Sequence, residues 1–116
     1  MRTLLLLLLL AQSGLFVSAV SEHEIKVCGT CTMVVIGTKE LGRYHSKEVE
    51  NLLCRKIQEQ LDESGLERLC RRIFREIADN DLYDEINDTE EYDPDLIKFC
   101  RTKLPKKYCP AYMTSK

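Results

Sequence analysis

Six cysteines are the residues of this sequence best suited to chemistry, because thiols can form disulfides, exchange electrons or bind metals. Two of them form a C-x-x-C motif, the next two flank a turn that contains Gly65, and the last two lie near the C-terminus. On a helix the first two would share one face and point at a single partner segment. In chain order the six are Cys28, Cys31, Cys54, Cys70, Cys100 and Cys109.

The N-terminus helps to decide between these chemistries because it predicts export. A basic Arg2 precedes an unbroken leucine run, Leu4 to Leu10, and Ala19 ends a small-residue cleavage site. The apolar run is shorter than the ~20 residues that span a bilayer. We therefore expect a secretory signal peptide over residues 1–19 and a single mature domain over residues 20–116. The protein would be secreted, either to the extracellular space or into an acidic endolysosomal or digestive compartment.

Export favours structural disulfides over the other two chemistries. The segment Cys28-Gly29-Thr30-Cys31 is also compatible with a redox C-G-x-C site, but no strand–helix alternation supports a thioredoxin-type sheet. His23 and His45 are the only histidines and fit no zinc spacing. Six cysteines allow many pairings, and the residues alone leave that choice open.

Charge is unevenly distributed along the chain. The stretch from Glu76 to Asp95 contains ten acidic residues and no basic one, whereas residues 96–116 contain six basic residues and no acidic one. With a net charge of −2, the chain is not expected to bind nucleic acid, although its basic part could touch an anionic surface. The segment 79–90 matches a calcium loop poorly, because Tyr83 and Asp84 stand where an oxygen ligand and the turn glycine belong. We expect no metal and no cofactor.

Two roles for the acidic stretch stay open beside that of a solvated loop. Its carboxylates would repel an anionic bilayer at neutral pH and would be partly protonated near about pH 4–5, which would make membrane binding pH-sensitive. Asn87-Asp88-Thr89 is also an N-glycosylation sequon. We therefore expect Asn87 to be a glycan acceptor if the source organism glycosylates.

Turn residues divide the mature chain into four or five helical segments, and no segment alternates convincingly like a strand. We predict a first helix over residues 21–37, followed by a loop bracketed by Gly37 and Gly42. Ser46 is the predicted N-cap of a second helix that runs to Asp62. The predicted fold class is therefore all-α.

The later helices carry start and stop signals of their own. Ser64 and Glu67 match an S-x-x-E capping box that would begin the third helix. A short helix is compatible with the acidic stretch that follows. Asp93 and Pro94 predict the N-cap and first residue of the last helix, and Pro105 would end it. The final cysteine would then lie in a tail beyond the helix.

This order of cysteines and apolar helical stripes resembles the saposin-like family of saposin B-type domains. The matching features are the C-x-x-C in the first helix, the middle pair of cysteines on adjacent helices and the late pair that would bond to the first helix. The resemblance covers essentially all of the mature chain. It implies a four- to five-helix bundle closed by three nested disulfides, Cys28–Cys109, Cys31–Cys100 and Cys54–Cys70.

The same resemblance implies that the protein binds lipids or interacts with membranes. It would either transfer single lipids or permeabilise membranes, for example as an antimicrobial protein. Its partners would be lipids or anionic membrane surfaces, and a homodimer is a further expectation. Domains of this family can open by separation of their helices, which makes the apolar stripes candidates for lipid contact. The candidate residues are Val35, Val49, Leu52, Leu53, Ile57, Leu66, Leu69, Ile73 and Ile77.

Four arginines on the third helix are candidates for contact with lipid headgroups: Arg68, Arg71, Arg72 and Arg75. The alternative is a solvated helix face, because Glu67 with Arg71 and Arg72 with Glu76 are pairs of opposite charge at i,i+4 spacing.

No catalytic constellation is present in the sequence, which carries neither a nucleophile–His–carboxylate pattern nor a glycine-rich phosphate loop. We therefore do not expect an enzyme. A hypothesis from a different class is a secreted, helical, disulfide-rich ligand that acts on a receptor without binding lipid.

Overall fold

The structure is a computed structural model that describes residues 21–111. The predicted signal peptide, residues 1–19, lies outside the described residues. Within residues 21–111 the chain is helical with no strand, which confirms the predicted all-α fold class. The helices are α1 (Glu22–Leu41), α2 (Lys47–Leu61), α3 (Leu66–Asp79), α4 (Tyr83–Asp88) and α5 (Asp93–Thr102).

Three disulfides use all six cysteines and join the pairs that the family resemblance implies. Cys28 of α1 is bonded to Cys109 in the loop after α5, and Cys31 of α1 is bonded to Cys100 of α5. The third bridge joins α2 to α3. The bridges therefore create two covalently closed units, one of α1 with α5 and its following loop, and one of α2 with α3. Contacts between the two units are non-covalent.

The core is formed by side chains from every one of these helices and from the loop after α5. The disulfides lie inside it, and Cys31, Cys54, Cys70, Cys100 and Cys109 are fully buried. The larger apolar members are Val34, Val35, Ile57, Ile73, Phe74, Ile77, Ile86, Leu96, Phe99, Leu104 and Tyr108.

The predicted loop between Gly37 and Gly42 is wrong, because α1 continues through Gly37 and ends at Leu41. Gly37 is buried against α2, where an added Cβ would lie 2.5 Å from Leu53 Cδ2. The missing side chain there permits a close helix–helix approach and does not mark a turn. The stop signal is Gly42, whose φ of +82° suits a glycine.

Ser46 caps α2 as predicted, and its hydroxyl accepts a hydrogen bond from Val49 N at 3.2 Å. The predicted capping box at Ser64 is wrong. Gly65 is the N-cap of α3 with φ +89°, and it has no side chain with which to cap. The backbone N–H of Glu67 instead donates to Gln58 Oε1 at 2.9 Å, so a side chain from the preceding helix satisfies this donor.

The last helix begins one residue earlier than predicted. Asp93 is its first residue, Pro94 its second, and Tyr92 is the N-cap without a side-chain hydrogen bond. The helix ends at Thr102, before Pro105 is reached. The short helix expected in the acidic stretch is α4.

Candidate functional site

The packing of the helices leaves one seam partly open. The outer helix α3 packs extensively against both α1 and α2, whereas α1 and α2 touch each other much less. The hollows along the seam between α1 and α2 are lined by residues of those two helices and by none of α3, so the seam opens away from α3. At this seam two glycines of α1 replace side chains: Gly29 faces Leu61, and Gly37 faces Leu53.

Apolar side chains line this opening. Two shallow hollows of about 290 and 190 Å³ follow one another along it and share Gly37, Glu40, Leu53 and Lys56. Their walls are mainly apolar, with one acidic and one basic side chain at the rim. We call the lining set the apolar seam; its members are Met33, Ile36, Leu41, Val49, Leu52 and Leu53.

The predicted lipid-contact residues divide between this seam and the core. Val49 and Leu52 are 39% and 49% exposed, and the partly buried Leu53 lies beside them. Leu69 is also partly buried and packs against the core. The remaining five are fully buried: Val35, Ile57, Leu66, Ile73 and Ile77.

Sequence analysis missed the half of the seam that α1 supplies. Met33 and Ile36 are three residues apart, and Leu41 follows near the end of the helix. Met33 and Ile36 lie within the predicted first helix, but only its continuation past Gly37 brings Leu41 onto the same helix.

The four predicted headgroup arginines lie on the outer face of α3, away from the seam. Arg68, Arg72 and Arg75 are exposed, whereas Arg71 forms the expected pair with Glu67 at 2.7 Å. The second expected pair, Arg72 with Glu76, does not form.

Glu76 Oε2 instead accepts a hydrogen bond from the Tyr108 hydroxyl at 2.5 Å, while Oε1 is buried without a hydrogen-bond partner among the described residues. Burial raises the pKa of Tyr108 far above its ordinary value, and the bond to the Glu76 carboxylate raises it further. The interaction holds the loop after α5 against α3.

The loop between α1 and α2 is fixed by a buried histidine that sequence analysis did not single out as functional. His45 Nε2 lies 2.9 Å from Glu50 Oε2, and both side chains are more than nine-tenths buried. His45 Nδ1 lies 2.8 Å from the carbonyl oxygen of Gly42, and the ring packs 5.2 Å from the ring of Phe74. Both ring nitrogens are therefore within hydrogen-bond distance of an oxygen.

A second contact ties the same loop to α4. The Arg43 guanidinium forms an ion pair with Asp81 at 3.0 Å and lies 5.0 Å from the centre of the Tyr83 ring. Burial raises the pKa of the Tyr83 hydroxyl; Arg43 opposes this effect, and Glu50 and Asp81 add to it. The loop therefore contacts the α2–α3 unit through His45 and α4 through Arg43.

The remaining predictions concern modification, metals and redox chemistry. Asn87 is exposed on α4, where a glycan could be accommodated. Among residues 21–111 no three metal-binding side chains converge, and no helix there is long and apolar enough to cross a membrane. Cys28 and Cys31 are bonded to different partners, so the C-G-x-C segment does not form a redox disulfide.

The chain matches no family model, no curated protein and no solved structure. The three disulfides fit an exported protein, because such bonds persist in oxidising compartments. What the protein does must therefore be inferred from its own surface.

Proposed function

We propose that this protein is a secreted saposin-like protein that binds lipids or interacts with membranes, and that the apolar seam between α1 and α2 receives acyl chains. Transfer of single lipids and permeabilisation of microbial membranes are the two forms that this activity can take. The chain lacks tryptophan, the commonest interfacial anchor, which favours lipid transfer.

One observation carries the proposal: the exposed apolar side chains are clustered. Six large hydrophobic residues are exposed among residues 21–111. Leu41, Val49 and Leu52 belong to the apolar seam, and Tyr44, 92% exposed, lies in the loop that joins its two helices. Isolated exposed apolar residues are ordinary, whereas a contiguous set beside a hollow is typical of a binding surface.

The disulfide arrangement supports a seam that can widen. No disulfide crosses from the α1–α5 unit to the α2–α3 unit, so only packing and polar contacts resist their separation. Separation would expose the core members of the predicted lipid-contact set, including Val35, Ile57 and Ile73, to a bound acyl chain. These residues would serve as core in the closed form and as lipid contacts in the open form.

Co-sedimentation with vesicles of phosphatidylcholine and phosphatidylglycerol, at pH 7 and pH 4.5, tests the proposal. The native protein is expected to bind, more strongly at pH 4.5. Leu52→Glu is expected to weaken binding by about tenfold or more, because a buried leucine contributes roughly 1.5–3 kcal/mol. Tyr92→Glu is the matched control, since Tyr92 is similarly exposed, at 59%, and lies outside the seam.

Equal loss in the two variants would show that added negative charge, and not the seam, governs binding. A native protein that stays in the supernatant at both pH values would contradict lipid binding altogether. The receptor-ligand hypothesis would then take first place.

A further inference from the structure

The outer face of α3 and the loop after α5 are far apart in sequence, but a contact through Tyr108 brings basic residues of both parts together. All five of these basic side chains are exposed. We call this set the basic surface; it consists of Arg68, Arg72, Arg75, Lys106 and Lys107.

The Tyr108 side chain joins the two parts. It is 6% exposed, and its hydroxyl donates to Glu76, which lies one helical turn after Arg72 on α3. The backbone N–H of Tyr108 donates to the Cys100 carbonyl oxygen at 3.0 Å, and the adjacent Cys109 is bonded to α1. Lys106 and Lys107 immediately precede this anchor, so they lie beside α3.

Carboxylates also lie along α3, but they are fewer than the basic side chains. Glu67 is paired with Arg71, Glu76 accepts a hydrogen bond from Tyr108 and keeps its charge, and Asp79 lies beside Arg75. Among residues 21–111, none of the five basic side chains forms an ion pair, and they outnumber Glu76 and Asp79. A concentrated positive field on a chain of net charge −2 indicates an anionic partner.

The composition of the surface restricts that partner. Among residues 21–111 none of the exposed large hydrophobic residues lies on α3 or in the loop after α5, and α3 does not line the apolar seam. The basic surface therefore has no large apolar side chain that it could insert into a bilayer, unlike the apolar seam. Among residues 21–111 the exposed tyrosines are Tyr44 and Tyr92, and neither lies on α3 or in the loop after α5, so neither lies among these basic residues to stack with the bases of a single-stranded nucleic acid.

We propose that the basic surface binds a linear sulfated polysaccharide. Arg68, Arg72 and Arg75 follow one another along one side of α3 at spacings of four and three residues, which forms a row of cations. Regularly spaced sulfates on an extended polymer match such a row, and clusters of Lys and Arg are typical of heparin-binding sites. The site shares no residue with the apolar seam, although its three arginines are also the predicted headgroup contacts; the proposal assigns them to sulfate groups instead of lipid phosphates.

Titration of the oxidised protein with heparin oligosaccharides at several salt concentrations tests this site without lipid. The triple variant Arg72→Gln/Lys106→Gln/Lys107→Gln is expected to bind at least about tenfold more weakly, with a salt-dependence slope lower by about two to three. The matched control is Arg55→Gln/Lys56→Gln/Lys98→Gln, which removes the same charge from exposed positions outside the surface. The control should bind heparin like the native protein.

Equal weakening in both triple variants would overturn the proposal, because net charge would then explain binding. Two other results would also overturn it. One is binding of anionic vesicles through the same three residues without competition from heparin. The other is a native protein that does not bind heparin but forms a homodimer in gel filtration, which the surface variant abolishes. The surface would then bind a second copy of the chain.

Discussion

His45 fixes the connection between α1 and α2 because both of its ring nitrogens have acceptor partners, Gly42 and Glu50. Removal of a buried partner of a carboxylate is destabilising, because the remaining carboxylate keeps its desolvation cost without the interaction that offset it. Glu50 is also 3.4 Å from Lys47, but the lysine side chain is 80% exposed and its contribution should be small.

We predict that His45→Ala lowers the free energy of unfolding by about 3 kcal/mol. Lys47→Gln, which removes the exposed partner of the same carboxylate, should change it by less than about 1 kcal/mol. Urea denaturation followed by circular dichroism compares the two variants. Similar losses in both would mean that the buried histidine does not anchor this loop.

The raised pKa of Tyr108 gives stability a dependence on alkaline pH. Because the folded-state pKa lies above the unfolded value of about 10, the contribution of this residue is complete below that pH and is lost as the pH rises further. Between pH 8 and 10.5 we expect the native protein to lose about 1 kcal/mol more than Tyr108→Phe. Urea denaturation of both proteins at the two pH values measures the difference; parallel losses would contradict it.

At the level of the helices, the sequence predicted which helices form more accurately than it predicted where each helix begins and ends. The periodic stripes of α2 and α3 are long, and their caps or turns are close to where the helices begin. Gly37 misled the prediction because a glycine at a helix–helix contact and a glycine at a turn look alike in one sequence. The capping box at Ser64 failed because a side chain distant in sequence, Gln58, satisfies Glu67 N instead.

Two serines that the sequence places at helix starts should therefore differ in effect when they are replaced. Ser46→Ala removes a cap that accepts from Val49 N and should lower stability by about 1 kcal/mol. Ser64→Ala removes no cap and should stay within about 0.5 kcal/mol of the native value. Thermal denaturation of both variants measures the two losses of stability. Equal losses would indicate that the Ser64 side chain also caps α3.

The candidate site was predictable only in part for a similar reason. Helical periodicity identified Val49, Leu52 and Leu53 as apolar members of α2, together with Ile57. It could not show that Ile57 is buried at the base of a hollow while the first three lie along its more open part. Which part of an apolar stripe is covered depends on how neighbouring helices pack, and that information is not local in sequence.

At the scale of the whole molecule, the two bridges from α1 are nested. Their spans of 81 and 69 residues differ by only 12, so when one bridge is present the other closes only a short additional loop. The bridge between Cys54 and Cys70 spans 16 residues by itself. Chain entropy therefore predicts about the same stabilisation, close to 3 kcal/mol, from the second bridge of the nested pair and from the Cys54–Cys70 bridge.

We predict that Cys28→Ser/Cys109→Ser costs about as much stability as Cys54→Ser/Cys70→Ser, despite its much longer span. Denaturant midpoints of the two double variants, each with its remaining bridges oxidised, provide the comparison. A loss from Cys28→Ser/Cys109→Ser that exceeds the other by more than about 1.5 kcal/mol would show that the bridges act independently.

The bond between Cys28 and Cys109 also governs how the molecule responds to proteases. Any single backbone cut between these two residues leaves one of them on each fragment, so the disulfide still holds the fragments together. Exposed turns such as the one at Gly65 can therefore be nicked without release of a peptide. In a compartment rich in digestive enzymes, a nicked molecule would remain one covalent particle until its disulfides were reduced or a second cut separated a segment between the bridges.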